Sequence, residues 1–233
     1  MPEILLIHGS CHGAWCWRDV LAELQAMDQP ARAIDLPGHG ADPTPASDVT
    51  LDGYARAILD AIDTPVVLVG HSMGGFPITA AALEAPEKIA ALVHVAAYIP
   101  ASGRSLAQMR FDWPEQPLAG AIEKTGPHAF VFRDESHDPL FYHDCPEGTL
   151  NFARAHLTPQ PLAPNDTALP GIPKVPRHAI LCTEDRVIPP AYQAHMARDL
   201  PPGHVSELPT GHSPFFAAPK ALAERLASIA RAA

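Results

Sequence analysis

Positive charge is in short supply in this chain. Only 16 lysines and arginines stand against 26 aspartates and glutamates, a net charge of −10 over 233 residues. Nucleic acid is held by basic faces that neutralise phosphate, so this balance argues against a nucleic-acid partner. Long apolar runs are missing too. Although 47% of residues are hydrophobic, no run nears the ~20 residues that a membrane-spanning helix needs, and no membrane partner is expected. Cysteines are few and scattered: Cys11, Cys16, Cys145 and Cys182 form no C-x-x-C pair and no disulfide framework. Free thiols are expected. The opening Met1-Pro2-Glu3 runs straight into Ile4-Leu5-Leu6-Ile7 without a basic stretch or a small-residue cleavage site. Together with the thiols, this makes the cytoplasm the expected location. Glycine is outnumbered by proline, 15 to 27. Periodic apolar segments lie between the prolines, so they suggest stiff loops rather than disorder.

What is present is an alternation of strand and helix. Glu3 to Ile7, Pro30 to Ile34, Pro65 to Val69 and Ala90 to Ala96 read as buried strands, because they are short, apolar and rich in β-branched residues. Trp15 to Met27, Leu51 to Ile62 and Phe76 to Glu84 read as the helices between them. The same pattern resumes with a strand at His178 to Cys182, a helix from Ala191 to Leu200, a strand at Val205 to Leu208 and a last helix from Pro219 to Ala232. Such alternation predicts an α/β fold, a mostly parallel doubly wound sheet with helices on both faces. Between Pro100 and Val175 the pattern breaks into proline-interrupted, aromatic sequence with only short helical stretches. Residues 1–100 and 176–233 are therefore expected to form one core, and residues 101–175 an inserted cap, or lid. No internal repeat is visible.

The chemistry gathers at Gly70-His71-Ser72-Met73-Gly74-Gly75, which lies between a strand and a helix. A serine at so sharp a corner needs strained backbone angles and small residues two positions either side. Gly70 and Gly74 supply them, which makes the stretch a nucleophile elbow with Ser72 at its tip. A serine hydroxyl is a weak nucleophile and needs a base that is itself oriented by an acid. In an elbow-bearing fold, the acid and then the histidine follow on loops after late strands. Asp185 lies just past the His178–Cys182 strand, and His212 lies just past the Val205–Leu208 strand. Glu184 is the alternative acid, one position nearer the strand. His8, His12, His39, His71 and His94 fall outside the expected order and read as packed or turn histidines. Donors for a developing oxyanion are expected at the backbone N–H of Met73 and at that of Ser10, in the loop His8-Gly9-Ser10-Cys11-His12-Gly13. His137, His143, Asp144 and Cys145 cluster in sequence but match no metal-ligand spacing. No metal and no cofactor are expected.

These residues resemble the α/β-hydrolase fold, and more narrowly the family that holds plant methyl-ester esterases and hydroxynitrile lyases. The resemblance rests on Ile7 to Trp15, on the elbow, on Cys182-Thr183-Glu184-Asp185-Arg186-Val187-Ile188-Pro189 and on Gly211-His212. The lyases carry a threonine where this chain has Gly9, a lysine where it has Ser213, and an acidic residue where it has His71. All three positions are esterase-like. The resemblance thus implies a serine carboxylesterase that cleaves small carboxylic esters, such as methyl or aryl esters, through an acyl-enzyme. The alternatives are a lyase and a ligand receptor that keeps the fold without turnover. A small-molecule ester is the expected partner, and oligomeric state stays open, a homodimer included.

Overall fold

The computed structural model describes residues 1–233. In chain order its strands are β1 (Ile4–Ile7), β2 (Ala31–Ile34), β3 (Val66–His71), β4 (Ile89–Val95), β5 (Ile122–Lys124), β6 (Ala129–Phe132), β7 (Gln160–Pro161), β8 (Arg177–Cys182) and β9 (Val205–Leu208). Six of them build one sheet in the order β2-β1-β3-β4-β8-β9, with every neighbouring pair parallel. Every residue of β1 and β3 is buried. Strands covered on both faces can be apolar throughout, which is why these runs show no alternation.

Three helices connect the first strands: α1 (Arg18–Ala26), α2 (Leu51–Asp60) and α3 (Gly75–Glu84). Thr50 caps α2 by accepting a hydrogen bond from the Gly53 N–H at 2.9 Å. The α1 helix packs on the closing Pro219–Ala232 helix, and α2 packs on α3. From β1 the chain steps outward to β2 and then crosses back to β3, on the other side of β1. This reversal opens a crevice at the carboxyl ends of β1 and β3, the place where open α/β sheets bind ligands.

Several element bounds differ from the sequence reading. The helix expected from Trp15 begins as a tight 3-10 turn, Ala14–Trp17, before α1. The elbow strand runs on to His71, and the helix expected over Ala191 to Leu200 spans Pro190–Ala197. The larger correction concerns the segment between β4 and β8. It contains more than short helical stretches, because β5, β6 and β7 pair as an antiparallel sheet. A turn with Gly126 at φ 114° joins β5 to β6, and strands of two to four residues are too short to leave a legible period in the sequence. Short helical pieces at Leu106–Met109, Asp134–Ser136, His137–Tyr142 (a π-helical turn), Thr149–Arg154 and Ala163–Asp166 complete the segment. Its Phe130, Phe132, Phe141 and Tyr142 belong to the same buried cluster as β1 and β3.

Candidate active site

Ser72 directly follows β3 and adopts φ 53°, a left-handed conformation that costs a non-glycine residue ~1–3 kcal/mol. The elbow has no room for side chains beside it. A Cβ at Gly70 would lie 2.5 Å from the Gly74 carbonyl oxygen, and one at Gly74 would lie 2.7 Å from that of His8. Close approach, more than free rotation, is what fixes glycine here.

Three side chains from distant loops meet at this corner. His212 Nε2 lies 3.0 Å from Ser72 Oγ, and His212 Nδ1 lies 2.8 Å from Asp185 Oδ2. Both the imidazole and the carboxylate are essentially sealed from solvent. A carboxylate only accepts, so the Nδ1 proton points at Asp185, and Nε2 is left to accept from the serine hydroxyl. Asp185 is itself held fast. Its Oδ1 accepts from the N–H groups of Val187 at 2.7 Å and Ile188 at 3.0 Å, and its Oδ2 also accepts from Gln193 Nε2 at 2.8 Å. Glu184, the alternative acid, is exposed.

The β1 loop lies against the elbow: a Cβ at Gly9 would come within 2.9 Å of Ser72 Cβ. Ser10 and Met73 both line the cavity that contains Ser72 and His212. The Ser10 N–H has no hydrogen-bond partner within the protein. Its loop is pinned by His12, whose Nδ1 donates to the Ser10 carbonyl at 2.8 Å while its Nε2 accepts from Tyr142 Oη at 2.8 Å. The other histidines are packed. His71 donates to the His212 carbonyl at 2.8 Å, His39 bonds Tyr54 and Thr158, and His8 accepts from the Leu36 N–H. Burial favours their neutral forms, lowering His8 and His94 to about 4 and His12 to about 3. The sequence cluster His137, His143, Asp144 and Cys145 is spent elsewhere. His143 donates to the Glu184 carbonyl, Asp144 accepts from the Gly211 N–H, and His137 faces Asp134 at 3.5 Å.

Above Ser72 lies a cavity of about 300 Å³. Of the segment's aromatics, Phe130, Phe132 and Phe141 line it. The rest have other work: Trp113 stacks on Tyr192, Phe152 packs on Trp15, Tyr142 bonds His12, and Phe111 is exposed. The cavity can hold a small, largely apolar molecule against a polarised hydroxyl.

Residues 4–225 match the alpha/beta hydrolase family. The chain belongs to that family. Within it, this alpha/beta hydrolase is similar to Methylesterase 7 of Arabidopsis thaliana, 31% identical over 98% of this chain and 96% of the relative. It is 32% identical to Methylesterase 1 of the same plant, over 98% and 95%. Among solved structures, a pyrethroid hydrolase from Sphingobium faniae JZ-2 superposes with a TM-score of 0.86 at 27% identity, covering 99% of this chain and 98% of that one. A methylesterase from Arabidopsis gives 0.84 at 25% identity, with both chains covered in full.

Sequence reasoning on this alpha/beta hydrolase missed three parts of the site. Gln193 joins the Asp185 loop to β8: its Oε1 accepts from the Cys182 N–H at 3.1 Å, and its Nε2 donates to Ile188 O as well as to Asp185. The only trace of this is a polar residue one turn into a helix beside the acid loop. From the segment between β4 and β8, where no periodicity assigns a direction to any side chain, Tyr142 braces the β1 loop through His12 and Asn165 lines the cavity.

Proposed function

We propose that this protein is a serine carboxylesterase that cleaves small esters, methyl or aryl, through an acyl-enzyme intermediate. The observation that carries the reading is the hydrogen-bonded line from Asp185 through His212 to Ser72 beneath a mainly apolar cavity. The methylesterase names of its relatives agree with it. In this mechanism Ser72 Oγ attacks the ester carbonyl as its proton passes to His212 Nε2. Asp185 keeps the proton on Nδ1 and stabilises the imidazolium that forms. The N–H groups of Met73 and Ser10 receive the carbonyl oxygen as it gains charge. His212 then gives the proton to the leaving alkoxide, and alcohol departs. A water molecule, deprotonated by His212, attacks the acyl-serine and releases the acid. No step calls for a metal or a cofactor.

In this reading, residues 101–175 act as the cap, supplying Phe130, Phe132 and Phe141 to grip the hydrocarbon part of the ester. A lyase would need an ammonium beside His212; the fully buried Ser213 occupies that place. The test of the nucleophile is Ser72→Ala, which should lower kcat on p-nitrophenyl acetate by about 10⁴-fold or more. Labelling by a fluorophosphonate should disappear with it. A protein that keeps most of its turnover after this change uses another nucleophile, and a wild-type chain that neither labels nor turns over is a receptor.

A further inference from the structure

One short stretch of the segment between β4 and β8 touches three of the site's loops. Phe141 packs its ring 5.6 Å from that of His212, and Tyr142 braces the β1 loop through His12. His143 Nε2 then donates to the Glu184 carbonyl at 3.2 Å, next to Asp185, and Asp144 Oδ2 accepts from the Gly211 N–H at 2.5 Å, next to His212. The fit is close: a Cβ at Gly211 would lie 2.6 Å from both Asp144 Oδ1 and His143 Nε2. The contact at Gly211 falls where the sheet lets go. Pairing of β8 with β9 ends at Cys182 and Leu208, and the last backbone bond between their loops runs from the Glu184 N–H to the Thr210 carbonyl at 3.0 Å. From Gly211 onward, side chains do the holding. Asp144 takes the N–H just before His212, and His71 Nε2 donates to the His212 carbonyl at 2.8 Å. Asp185, by contrast, has three hydrogen bonds that need nothing from this stretch, from the N–H groups of Val187 and Ile188 and from Gln193.

We propose that Asp144 is a positioning residue for His212: it fixes Gly211 so that the imidazole spans Asp185 and Ser72, and His143 assists it on the acid loop. The inference rests on the esterase reading for its kinetics, though not for the geometry it concerns. A base that must stay within hydrogen-bond reach of two partners loses much of its effect when it is displaced by a fraction of an ångström. Asp144 acts only through the backbone it holds, so its removal should slow the chemical step and leave ester binding nearly untouched.

The test pairs Asp144→Ala, which removes the acceptor, with Asp144→Asn, whose amide oxygen can still accept from Gly211. Asp144→Ala should lower kcat on p-nitrophenyl acetate, per site titrated to completion with a fluorophosphonate, by about 10- to 100-fold, with KM within about twofold of wild type. Asp144→Asn should keep kcat within about threefold of wild type, because the hydrogen bond survives. His143→Ala should cost less than Asp144→Ala, since Asp185 keeps its other anchors. Proton NMR reads the same geometry without turnover. The Nδ1 proton of His212, held on Asp185, should give a low-field resonance that shifts or broadens in Asp144→Ala and stays in place in Asp144→Asn. Wild-type kcat per titrated site in Asp144→Ala, with the resonance unmoved, would overturn the proposal and leave Asp144 a role in stability alone. Equal losses in Asp144→Ala and Asp144→Asn would overturn it too, because the acceptor is kept in one of them. A resonance that moves as expected in a chain that hydrolyses nothing keeps the role of Asp144 and rejects the esterase. Hydrolysis indifferent to Asp144→Ala does the reverse. If Asp144→Ala does not fold, Asp144→Ser answers the same question.

Discussion

The cavity has two unlike walls. One is built by loops at the carboxyl ends of β1, β3, β8 and β9, where Ser72, Asp185 and His212 are joined by hydrogen bonds of 2.8 to 3.0 Å. Each of these groups is tied to backbone that the sheet holds in register. The other wall comes from the segment between β4 and β8, and presents Phe130, Phe132, Phe141 and Leu162 with few directional contacts. A hydrogen-bonded group has one productive orientation, whereas an apolar contact tolerates many. In the proposed esterase, reaction chemistry therefore belongs to the first wall and selection of the ester to the second. Damage to the first should appear in kcat, and damage to the second in KM and in substrate preference.

The sharpest attack on that division is Asp185→Asn, which keeps volume and removes charge. The amide can donate to His212 Nδ1, driving the proton to Nε2, where it no longer accepts from Ser72. A loss in kcat of about 10⁴-fold with KM little altered is expected, measured on p-nitrophenyl acetate. A modest change would mean that orientation by Asp185 matters little. Gly9→Ala comes next. The added methyl would lie 2.7 Å from His71 Nδ1 and 2.9 Å from Ser72 Cβ, both anchored. Misplacing the β1 loop by a fraction of an ångström should slow single-turnover acylation by about 10- to 100-fold.

Phe141→Ala strikes the second wall. Its ring lies 4.6 Å from that of Phe132 and 5.6 Å from that of His212. The substitution should cost about 3 kcal/mol of stability and raise KM more than it lowers kcat. A kcat loss rivalling that of Asp185→Asn would erase the division between the walls. Mild acid touches neither wall directly and should act on stability alone. His8 and His94 are held down at about 4 and His12 at about 3, all by burial. In the unfolded chain each titrates near 6.5. Below that value the unfolded state takes up protons that the folded state refuses, so their contribution to stability is full above pH 6.5 and fades as pH falls toward 4. Each should remove ~1.4 kcal/mol per pH unit in that window, read from urea midpoints at pH 7 and pH 5. Unchanged midpoints would show that these rings are charged or solvated in the fold.

The first wall could be foreseen almost residue by residue. Ser72 stands at a corner that Gly70 and Gly74 mark, and Asp185 and His212 follow apolar runs whose length and composition announce strands. The second wall could not. Phe130 and Phe132 face the cavity because β6 pairs with β5 and β7, strands of three and two residues. Phe111 and Phe152 are chemically identical to them and end elsewhere. Gln193 escaped notice because its three hydrogen bonds all join groups brought together by the packing of the Pro190–Ala197 helix on β8.

The amino-acid order alone specified the parallel sheet, the elbow and the loops that carry Asp185 and His212, because each follows from local demands: apolar strands, small residues at a strained turn, polar residues just past strand ends. Folding in three dimensions settled the rest, including the 3.0 Å approach of His212 to Ser72 across 140 positions of chain, the choice of aromatics around the ester and the contacts of His143 and Asp144 with the triad loops. Those outcomes depend on contacts between segments far apart in the chain, and such contacts leave no period or spacing within any one segment.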